Sequence, residues 1–213
     1  MPKFARTLYF PTPIYSFTMF DDAETMNEDL LALIYAERER DTKGLERSNF
    51  RSLGGWHSHN NLHKLPEFEI LTRHIQTVTE GISNDLGYHP DYYLNIGTMW
   101  SIINAPGSSN RAHIHPDCLW SGVYYVHVPE NSGDIEFTDP RTQHLMRTPK
   151  YIPNKRKLRE CMTKVRISPM AGKMVIFPSW LYHAVHPNLS TRAGRLGERV
   201  IISFNLSQRK RPT

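Results

Sequence analysis

The segment "AHIHPDCLWSGVYYV", residues 112–126 of this 213-residue chain, joins polar side chains to an apolar run. The run "WSGVYYV" is rich in β-branched and aromatic residues, which is typical of a buried strand. Before it, His113, His115 and Asp117 occupy alternate positions. Alternate side chains of extended backbone face the same side, so these groups are expected to point together. The segment therefore predicts metal-binding side chains where a turn enters a strand.

Runs of the same strand-like character follow residue 90. They are residues 91–104, 120–128, 133–139, 163–169, 172–179 and 198–207. Turn sequences such as "APGSSN" and "PENSG" separate them. Many short strands with helices outside their run favour an antiparallel barrel or jelly roll flanked by helices.

The first ninety residues have a different pattern. Residues 21–41 begin with aspartates suited to capping and then place apolar residues at helical spacing. A second helix is predicted from Pro66, with apolar residues recurring every three or four positions until Gly87 ends it. Residues 7–20 alternate loosely and contain prolines, as an edge strand can.

These patterns predict an α+β fold, a cupin-like double-stranded β-helix (jelly-roll) barrel supported by N-terminal α-helices. The length of the chain suits one domain, residues 1–213. Within it, residues 1–90 are expected to form a mostly helical support and residues 91–207 the jelly-roll core.

Composition narrows the class of protein. Hydrophobic residues make up 39% and charged residues 22% of the chain, as in soluble globular proteins. No apolar run reaches the length of about 18 residues that a membrane helix needs, and the opening residues lack the form of a signal peptide. The cysteines are Cys118 and Cys161, too few for a disulfide framework, which favours a reducing cytoplasmic location.

Positive charge is concentrated in one segment. The chain has 26 basic and 21 acidic residues, and residues 147–166, "RTPKYIPNKRKLRECMTKVR", contain many of the basic ones. Such a segment is either a solvated loop or a surface that attracts an anionic partner. Its basic residues lack the interleaved aromatic side chains of a single-strand nucleic-acid site, so nucleic-acid binding is not expected.

The polar cluster suits a particular metal. Pro116 restricts His115 to extended backbone, so His115 and Asp117 are expected to point roughly the same way. One imidazole, one carboxylate and a later imidazole form the facial triad that holds non-haem Fe(II) with open positions. His183 supplies the later imidazole because it lies just past a strand that ends at Phe177, and His186 is a second candidate on the same loop.

An arginine begins the last strand. In "RVIISFNL", Arg199, Ile201, Ser203 and Asn205 share one face, and Val200, Ile202, Phe204 and Leu206 share the other. An arginine on the inner face of a barrel needs an anion, since a buried unpaired guanidinium is costly. Its planar fork suits a carboxylate, and Ser203 could donate a second hydrogen bond.

Together these motifs resemble a known family. Iron- and 2-oxoglutarate-dependent dioxygenases of the prolyl 4-hydroxylase type share Pro-Gly, His-x-Asp, a "YYL"-like strand, Gly-x-x-x-Phe, a distal histidine and a final arginine. This chain has Pro106-Gly107, His115-Pro116-Asp117, "VYYV" at 123–126, Gly133 with Phe137, His183 and Arg199. More narrowly, "FPTPIY", "GGWHS", "HIHP", "SGVYYV", "TDPR", "VIFPSWLYHAVHP" and "ISFN" look like a bacterial and phage group of 2-oxoglutarate-Fe(II) oxygenases.

The resemblance implies an enzyme, an Fe(II)/2-oxoglutarate-dependent dioxygenase that hydroxylates a substrate with release of succinate and CO2. It implies that His115, Asp117 and His183 hold the iron. It further implies that Arg199, with Ser203 and Tyr125, binds the far carboxylate of the cosubstrate 2-oxoglutarate. The alternative is a non-catalytic cupin-like module that binds a metal for structure or binds none.

Two assignments stay open at the level of sequence. The narrower group has the pattern His-x-His-Pro, which makes His113 a rival ligand and allows a site of three histidines. The stretch "STRAGRLGER" also looks longer than usual, so Arg192 and Arg195 compete with Arg199 for the cosubstrate. Arg199 is favoured because the start of a strand fixes its direction.

The sequence does not define the substrate, which could be a peptide, a free amino acid or a small metabolite, because function depends on the site and not on the fold. Candidates for the walls of the pocket are the large aromatic residues near the predicted strands. They are Trp100, Trp120, Tyr124, Tyr125, Phe177 and Trp180.

Overall fold

The structure is a computed structural model, and it describes residues 7–18, 21–146, 149–153, 155 and 158–212. The helices are α1 (Ala23–Arg40), α2 (Gly44–Arg47), α3 (Glu69–Asp85) and α4 (Thr142–Met146). The strands are β1 (Tyr15–Phe17), β2 (Trp56–His57), β3 (Tyr92–Asn104), β4 (Asn110–His113), β5 (Trp120–His127), β6 (Ile135–Thr138), β7 (Lys164–Ile167), β8 (Met174–Pro178), β9 (His183–Val185) and β10 (Arg199–Lys210).

The strands form two antiparallel sheets. The larger sheet has the order β1-β8-β5-β10-β3-β2, and the smaller sheet has the order β4-β9-β6-β7. This is the predicted jelly-roll arrangement with helices beside it, and each predicted strand run contains an observed strand. The segment predicted as an edge strand supplies β1, at one edge of the larger sheet.

The long helix α3 ends as the glycine signal predicts. A 3-10 turn, Pro66–Phe68, precedes the helix. At the other end Gly87 has a φ of 66°, a left-handed conformation that costs glycine little. The amide of Tyr88 donates to the carbonyl of Ser83 and closes the turn. The predicted helix is thus confirmed to within a turn at each end.

The alternation in β10 separates two apolar layers. Val200, Ile202, Phe204 and Leu206 pack with α1 and α3 in the layer on the helix side of the larger sheet. Ile201 points the other way, into a second layer between the two sheets. That inner layer consists of Val123, Tyr125, Ile135, Phe137, Val175, Phe177, Leu181 and Ile201. The face predicted to be inner in β10, which begins with Arg199, therefore lies between the sheets.

Close packing in the helix-side layer depends on Gly122 of β5. A Cβ atom placed there meets the ring of Phe204 on the neighbouring strand at 2.2 Å. Gly122→Ala is therefore expected to lower the free energy of unfolding by about 1–3 kcal/mol, because the ring must shift in a close-packed core. Gly81→Ala on α3 is the matched control, since its Cβ meets nothing within 4 Å. Urea unfolding of both variants checks this, and equal or higher stability of Gly122→Ala would contradict the packing.

The structure bears on two expectations from composition, the membrane helix and the cysteines, and describes the basic segment only in part. No helix in the described ranges is both long enough and apolar enough to cross a bilayer. Cys118 and Cys161 are free thiols. Of the basic segment 147–166, residues 147, 148, 154, 156 and 157 lie outside the described residues.

Candidate metal centre

Three imidazoles converge at one end of the space between the sheets. β4 ends at His113 and β9 begins at His183, and the two residues are direct partners in the antiparallel ladder. His115 follows shortly after β4, where its amide donates to the carbonyl of Ser179. One nitrogen from each of the three rings lies within 4.8 Å of the other two.

The spacing of the three rings suits a shared ion. The Nε2 atoms of His115 and His183 are 3.3 Å apart. Two nitrogens bound to one metal at about 2.1 Å, with roughly 90–110° between the bonds, lie about 3.0–3.4 Å apart. The ring of His113 is centred 4.2 Å from that of His183 and 5.0 Å from that of His115. The cluster therefore fits three nitrogen ligands on one side of a metal.

Backbone carbonyls orient two of the rings. The Nδ1–H of His113 donates to the carbonyl of Arg111 at 2.7 Å, and the Nδ1–H of His183 donates to the carbonyl of Leu181 at 2.9 Å. A carbonyl can only accept, so in each ring the proton is on Nδ1 and the lone pair is on Nε2. Such partners fix the tautomer and ring orientation of histidine ligands.

Burial keeps these histidines in the form that binds metals. Desolvation lowers the pKa of His183 to about 3 from an ordinary value of 6.5. Desolvation, with a smaller contribution from His113, lowers the pKa of His115 to about 4. Both imidazoles are therefore neutral at physiological pH, and neutral imidazole is the ligand form.

The structure places Asp117 away from this cluster. Pro116 and Asp117 form a turn, in which Asp117 has a φ of 64°, and its side chain is exposed. A left-handed residue interrupts the alternation of side chains that extended backbone produces. The Asp117 carboxylate is therefore not part of the set of possible metal ligands, which consists of His113, His115 and His183. His186 is also outside it, since its ring is bonded to Glu136 at 3.2 Å.

Aromatic rings surround the cluster. Phe177 packs on His183 with ring centres 4.6 Å apart, and Trp100 stacks on His115 at 6.0 Å. His57 also stacks on Trp100, with ring centres 5.9 Å apart. The sequence motif "GGWHS" contains His57, but nothing in its spacing links it to residues more than forty positions later. Sequence reasoning therefore did not place His57 beside the site.

Two of the aromatic residues considered as pocket walls face elsewhere. Trp120 and Tyr124 belong to the helix-side layer, where the Trp120 indole donates to the hydroxyl of Tyr88 and the Tyr124 hydroxyl donates to Asn27. Tyr125 and Phe177 line the inner layer, as expected for pocket walls. The alternation of β5 explains the division, because neighbouring residues face opposite sides.

Arg199 is fully buried without a carboxylate partner among the described residues. Its Nη1 donates to the carbonyls of Ser132 and Gly133, and its Nη2 donates to Oδ1 of Asn104 at 3.3 Å. Its Nε–H has no partner in the described part of the chain. Burial lowers the pKa of Arg199 to about 10, so the guanidinium is still charged at pH 7. A buried charge with an unused donor is costly unless an anion binds beside it.

The other residues considered for binding the far carboxylate of 2-oxoglutarate differ in burial and position. Tyr125 is buried close enough to Arg199 for the cation to lower its pKa, although burial raises that pKa more strongly. Ser203 lies on the inner face of β10 opposite Val123 and Trp100 and is half-buried. Arg192 and Arg195 are exposed, and Arg195 is paired with Glu39.

Comparisons with known proteins agree with this geometry. Residues 98–205, half of the chain, match the model of the family described as "Putative 2OG-Fe(II) oxygenase". No curated protein sequence matches the chain. Among solved structures, a Pseudomonas putida prolyl-4-hydroxylase is similar with a TM-score of 0.57 and 17% identity, covering 91% of this chain and 92% of that one.

Two further solved structures share the fold. A Trichoplax adhaerens prolyl hydroxylase in complex with a peptide fragment of hypoxia inducible factor has a TM-score of 0.57 and 16% identity, covering 91% of this chain and 83% of that one. The non-haem α-ketoglutarate-dependent epimerase SnoN of nogalamycin biosynthesis has a TM-score of 0.58 and 12% identity, with coverages of 94% and 79%. At these identities the likeness concerns the fold.

Proposed function

The chain belongs to the 2OG-Fe(II) oxygenase family, and we propose that it hydroxylates a substrate at an iron held by His113, His115 and His183. The family resemblance of the sequence implies Asp117 in place of His113. The three-histidine set is preferred because its donors already converge, whereas the turn at Pro116 directs the backbone of Asp117 elsewhere. The single observation that carries the proposal is this convergence between the same two sheets that bury the guanidinium of Arg199.

The residues present fit both groups that the family uses. Neutral imidazoles with fixed tautomers suit Fe(II), and a buried guanidinium with an unused Nε–H suits a carboxylate. When bound, Fe(II) and 2-oxoglutarate would supply the oxidising chemistry together with O2: one oxygen atom goes into succinate as CO2 leaves, and the other goes to the substrate.

The protein contributes position and a dry environment. Arg199 would bind the far carboxylate of the cosubstrate, and Tyr125, which is buried in the same inner layer, would donate a further hydrogen bond. Asn104 holds the guanidinium by accepting a hydrogen bond from Nη2 through its side-chain oxygen. Phe137, Phe177 and Ile201 keep water from the space between the sheets.

The reaction type follows the family, and the substrate class does not follow from the fold. The structural neighbours include enzymes named for prolyl hydroxylation and for epimerisation. The same iron chemistry therefore serves different outcomes on this scaffold, and the substrate of this chain depends on residues beside the metal.

A non-catalytic cupin-like module is the competing function. A metal held only for stability has no use for a buried arginine that lacks a carboxylate among the described residues. This cation favours the enzyme over the structural module.

Succinate formation tests the proposed function. The full chain with Fe(II) and oxygen is expected to convert 2-oxoglutarate slowly to succinate without added substrate, because the protein has both a histidine cluster for the metal and a buried arginine for the cosubstrate. His183→Ala is expected to reduce this turnover by at least about 100-fold, since each histidine supplies a third of the protein ligands. Succinate measured by mass spectrometry gives the answer. Metal binding with no succinate above the His183→Ala background would favour the structural module.

A further inference from the structure

The three histidines of the metal centre differ in how their rings are held. The rings of His113 and His183 are each fixed by a backbone carbonyl that accepts the Nδ1–H. Within the described residues, the His115 ring has its hydrogen-bond contact only with Nε2 of His183. That contact joins two proposed ligand atoms, so a metal bound to both nitrogens would replace it. The orientation of the His115 ring therefore depends on packing.

Trp100 provides the flat surface against which the His115 ring packs. The two rings are centred 6.0 Å apart and inclined by 30°, within the range of offset stacking. The other rings in contact with His115 are those of His113 and His183, which are proposed ligands themselves. Among the described residues, Trp100 is thus the ring beside His115 that does not belong to the ligand set.

The larger sheet holds Trp100 in place. Trp100 lies in β3, where it is the ladder partner of Ser203 in β10, and it is buried. On the other side of β3, the edge strand β2 places His57 opposite Ile102. Trp100 and Ile102 are two residues apart, so their side chains share the inner face of the strand. The register of β2 therefore brings His57 next to Trp100 on that face.

His57 supports Trp100 from the edge of the sheet. Their rings are centred 5.9 Å apart and are nearly parallel, at 10°. The Nδ1–H of His57 donates to the carbonyl of Ser58 at 2.7 Å, which fixes the imidazole. The carbonyl of His57 accepts from Nε of Arg47 at 3.1 Å, and Arg47 is paired with Asp41 at the end of α1. The imidazole that packs on Trp100 is thus anchored to the helical part of the chain.

We propose that Trp100, supported by His57, is a positioning residue that fixes the ring plane of the metal ligand His115. The inference rests on the proposed function, since it takes His115 as a ligand. A packed ring limits rotation about the Cβ–Cγ bond of His115, which keeps its Nε2 directed at the point shared with His113 and His183. Groups that orient metal ligands typically change metal affinity by about 10–100-fold.

Binding of Co(II) to the full chain, without turnover, tests the proposal. Co(II) binds imidazole sites more tightly than Fe(II) or Mn(II), and its visible absorption reports the coordination geometry. Trp100→Leu is expected to weaken Co(II) binding about tenfold and to change the visible spectrum. Trp100→Phe keeps a flat ring, so its affinity is expected to stay within about threefold of the wild type. Calorimetry and absorption titrations measure both, and circular dichroism checks that each variant is folded.

Trp120→Leu is the matched control for Trp100→Leu. Trp120 is also a buried tryptophan of the larger sheet, but it belongs to the helix-side layer. Its loss is expected to destabilise the fold as a core truncation does, and to leave the Co(II) affinity and spectrum unchanged. An equal loss of affinity in Trp120→Leu would assign the effect to general loosening of the core and overturn the proposal. Unchanged affinity and spectrum in Trp100→Leu would overturn it as well.

A double-mutant cycle shows whether Trp100 acts through His115. In the His115→Ala background, Trp100→Leu is expected to change Co(II) affinity by less than about twofold, because the ring that it positions is gone. A further tenfold loss there would show that Trp100 acts on another part of the site and would overturn the proposal.

If Trp100→Leu does not fold, the same cycle with His57→Ala decides the question. A loss of about threefold is expected with His115 present, since one stacked ring is removed, and none is expected without it. Unchanged affinity with His115 present, or the same loss in its absence, overturns the proposal.

Succinate formation separates this inference from the oxygenase function. If the wild-type chain forms succinate and Trp100→Leu keeps its Co(II) affinity and spectrum, the positioning role fails and the oxygenase function stands. If Trp100→Leu shows the expected loss and the wild-type chain forms no succinate, the positioning role stands and the oxygenase function fails.

Discussion

His113→Ala is expected to weaken Fe(II) binding by more than about 100-fold, because loss of a direct ligand costs more than the 10–100-fold typical of its supporting partners. His113 is tied to its ladder partner His183 and to the carbonyl of Arg111, so it already has the orientation of a ligand. Anaerobic calorimetry with Fe(II), or with Mn(II) as a probe, measures the loss. Circular dichroism checks that the variant is folded.

Asp117→Ala is the matched control for His113→Ala. Asp117 is exposed and belongs to a turn, so its removal is expected to change iron affinity by less than about threefold, as for surface substitutions. The opposite order, with a large loss in Asp117→Ala and a small one in His113→Ala, would restore the two-histidine-one-carboxylate site.

Arg199→Met is expected to raise the dissociation constant of 2-oxoglutarate roughly 30-fold or more, since loss of a buried charged partner costs about 2–5 kcal/mol. Metal binding should remain, because Arg199 belongs to the inner face of β10 and not to the histidine cluster. Calorimetric titration of the Mn(II)-loaded protein with 2-oxoglutarate measures the effect.

Two exposed arginines provide controls for the assignment of Arg199 as the residue that binds the 2-oxoglutarate carboxylate. Arg192→Met and Arg195→Met are expected to keep nearly unchanged affinity, because both side chains lie outside the space between the sheets. A large loss of 2-oxoglutarate affinity in either variant, with none in Arg199→Met, would move the carboxylate site to the loop before β10.

Local patterns in the sequence were sufficient for most of the fold. The alternation in β10 correctly assigns Val200 and Ile202 to the helix side and Ile201 to the inner layer. The glycine that ends α3 is likewise a local signal, since Gly87 adopts the left-handed conformation. Each of these features depends on residues close in the chain, so a pattern can report them.

The choice among metal ligands depends on features that a pattern does not contain. Alternation allows His113, His115 and Asp117 to share a face only while the backbone stays extended. The left-handed φ of Asp117 interrupts that face, and the pairing of β4 with β9 brings His113 against His183 from seventy residues away. Pro116 predicts a restricted, extended backbone at His115, the residue before it. It does not predict the left-handed conformation of Asp117, the residue after it.

A crystal structure of the full chain with Mn(II) and 2-oxoglutarate, grown without oxygen, shows directly which residues bind the metal and the cosubstrate. We expect the Nε2 atoms of His113, His115 and His183 at about 2.1–2.2 Å from the metal. We also expect the far carboxylate of 2-oxoglutarate against the guanidinium of Arg199, with its Nε–H or Nη groups as donors. A metal bound by the carboxylate of Asp117 with His113 turned away, or a cosubstrate carboxylate held by Arg192 or Arg195, would contradict both assignments.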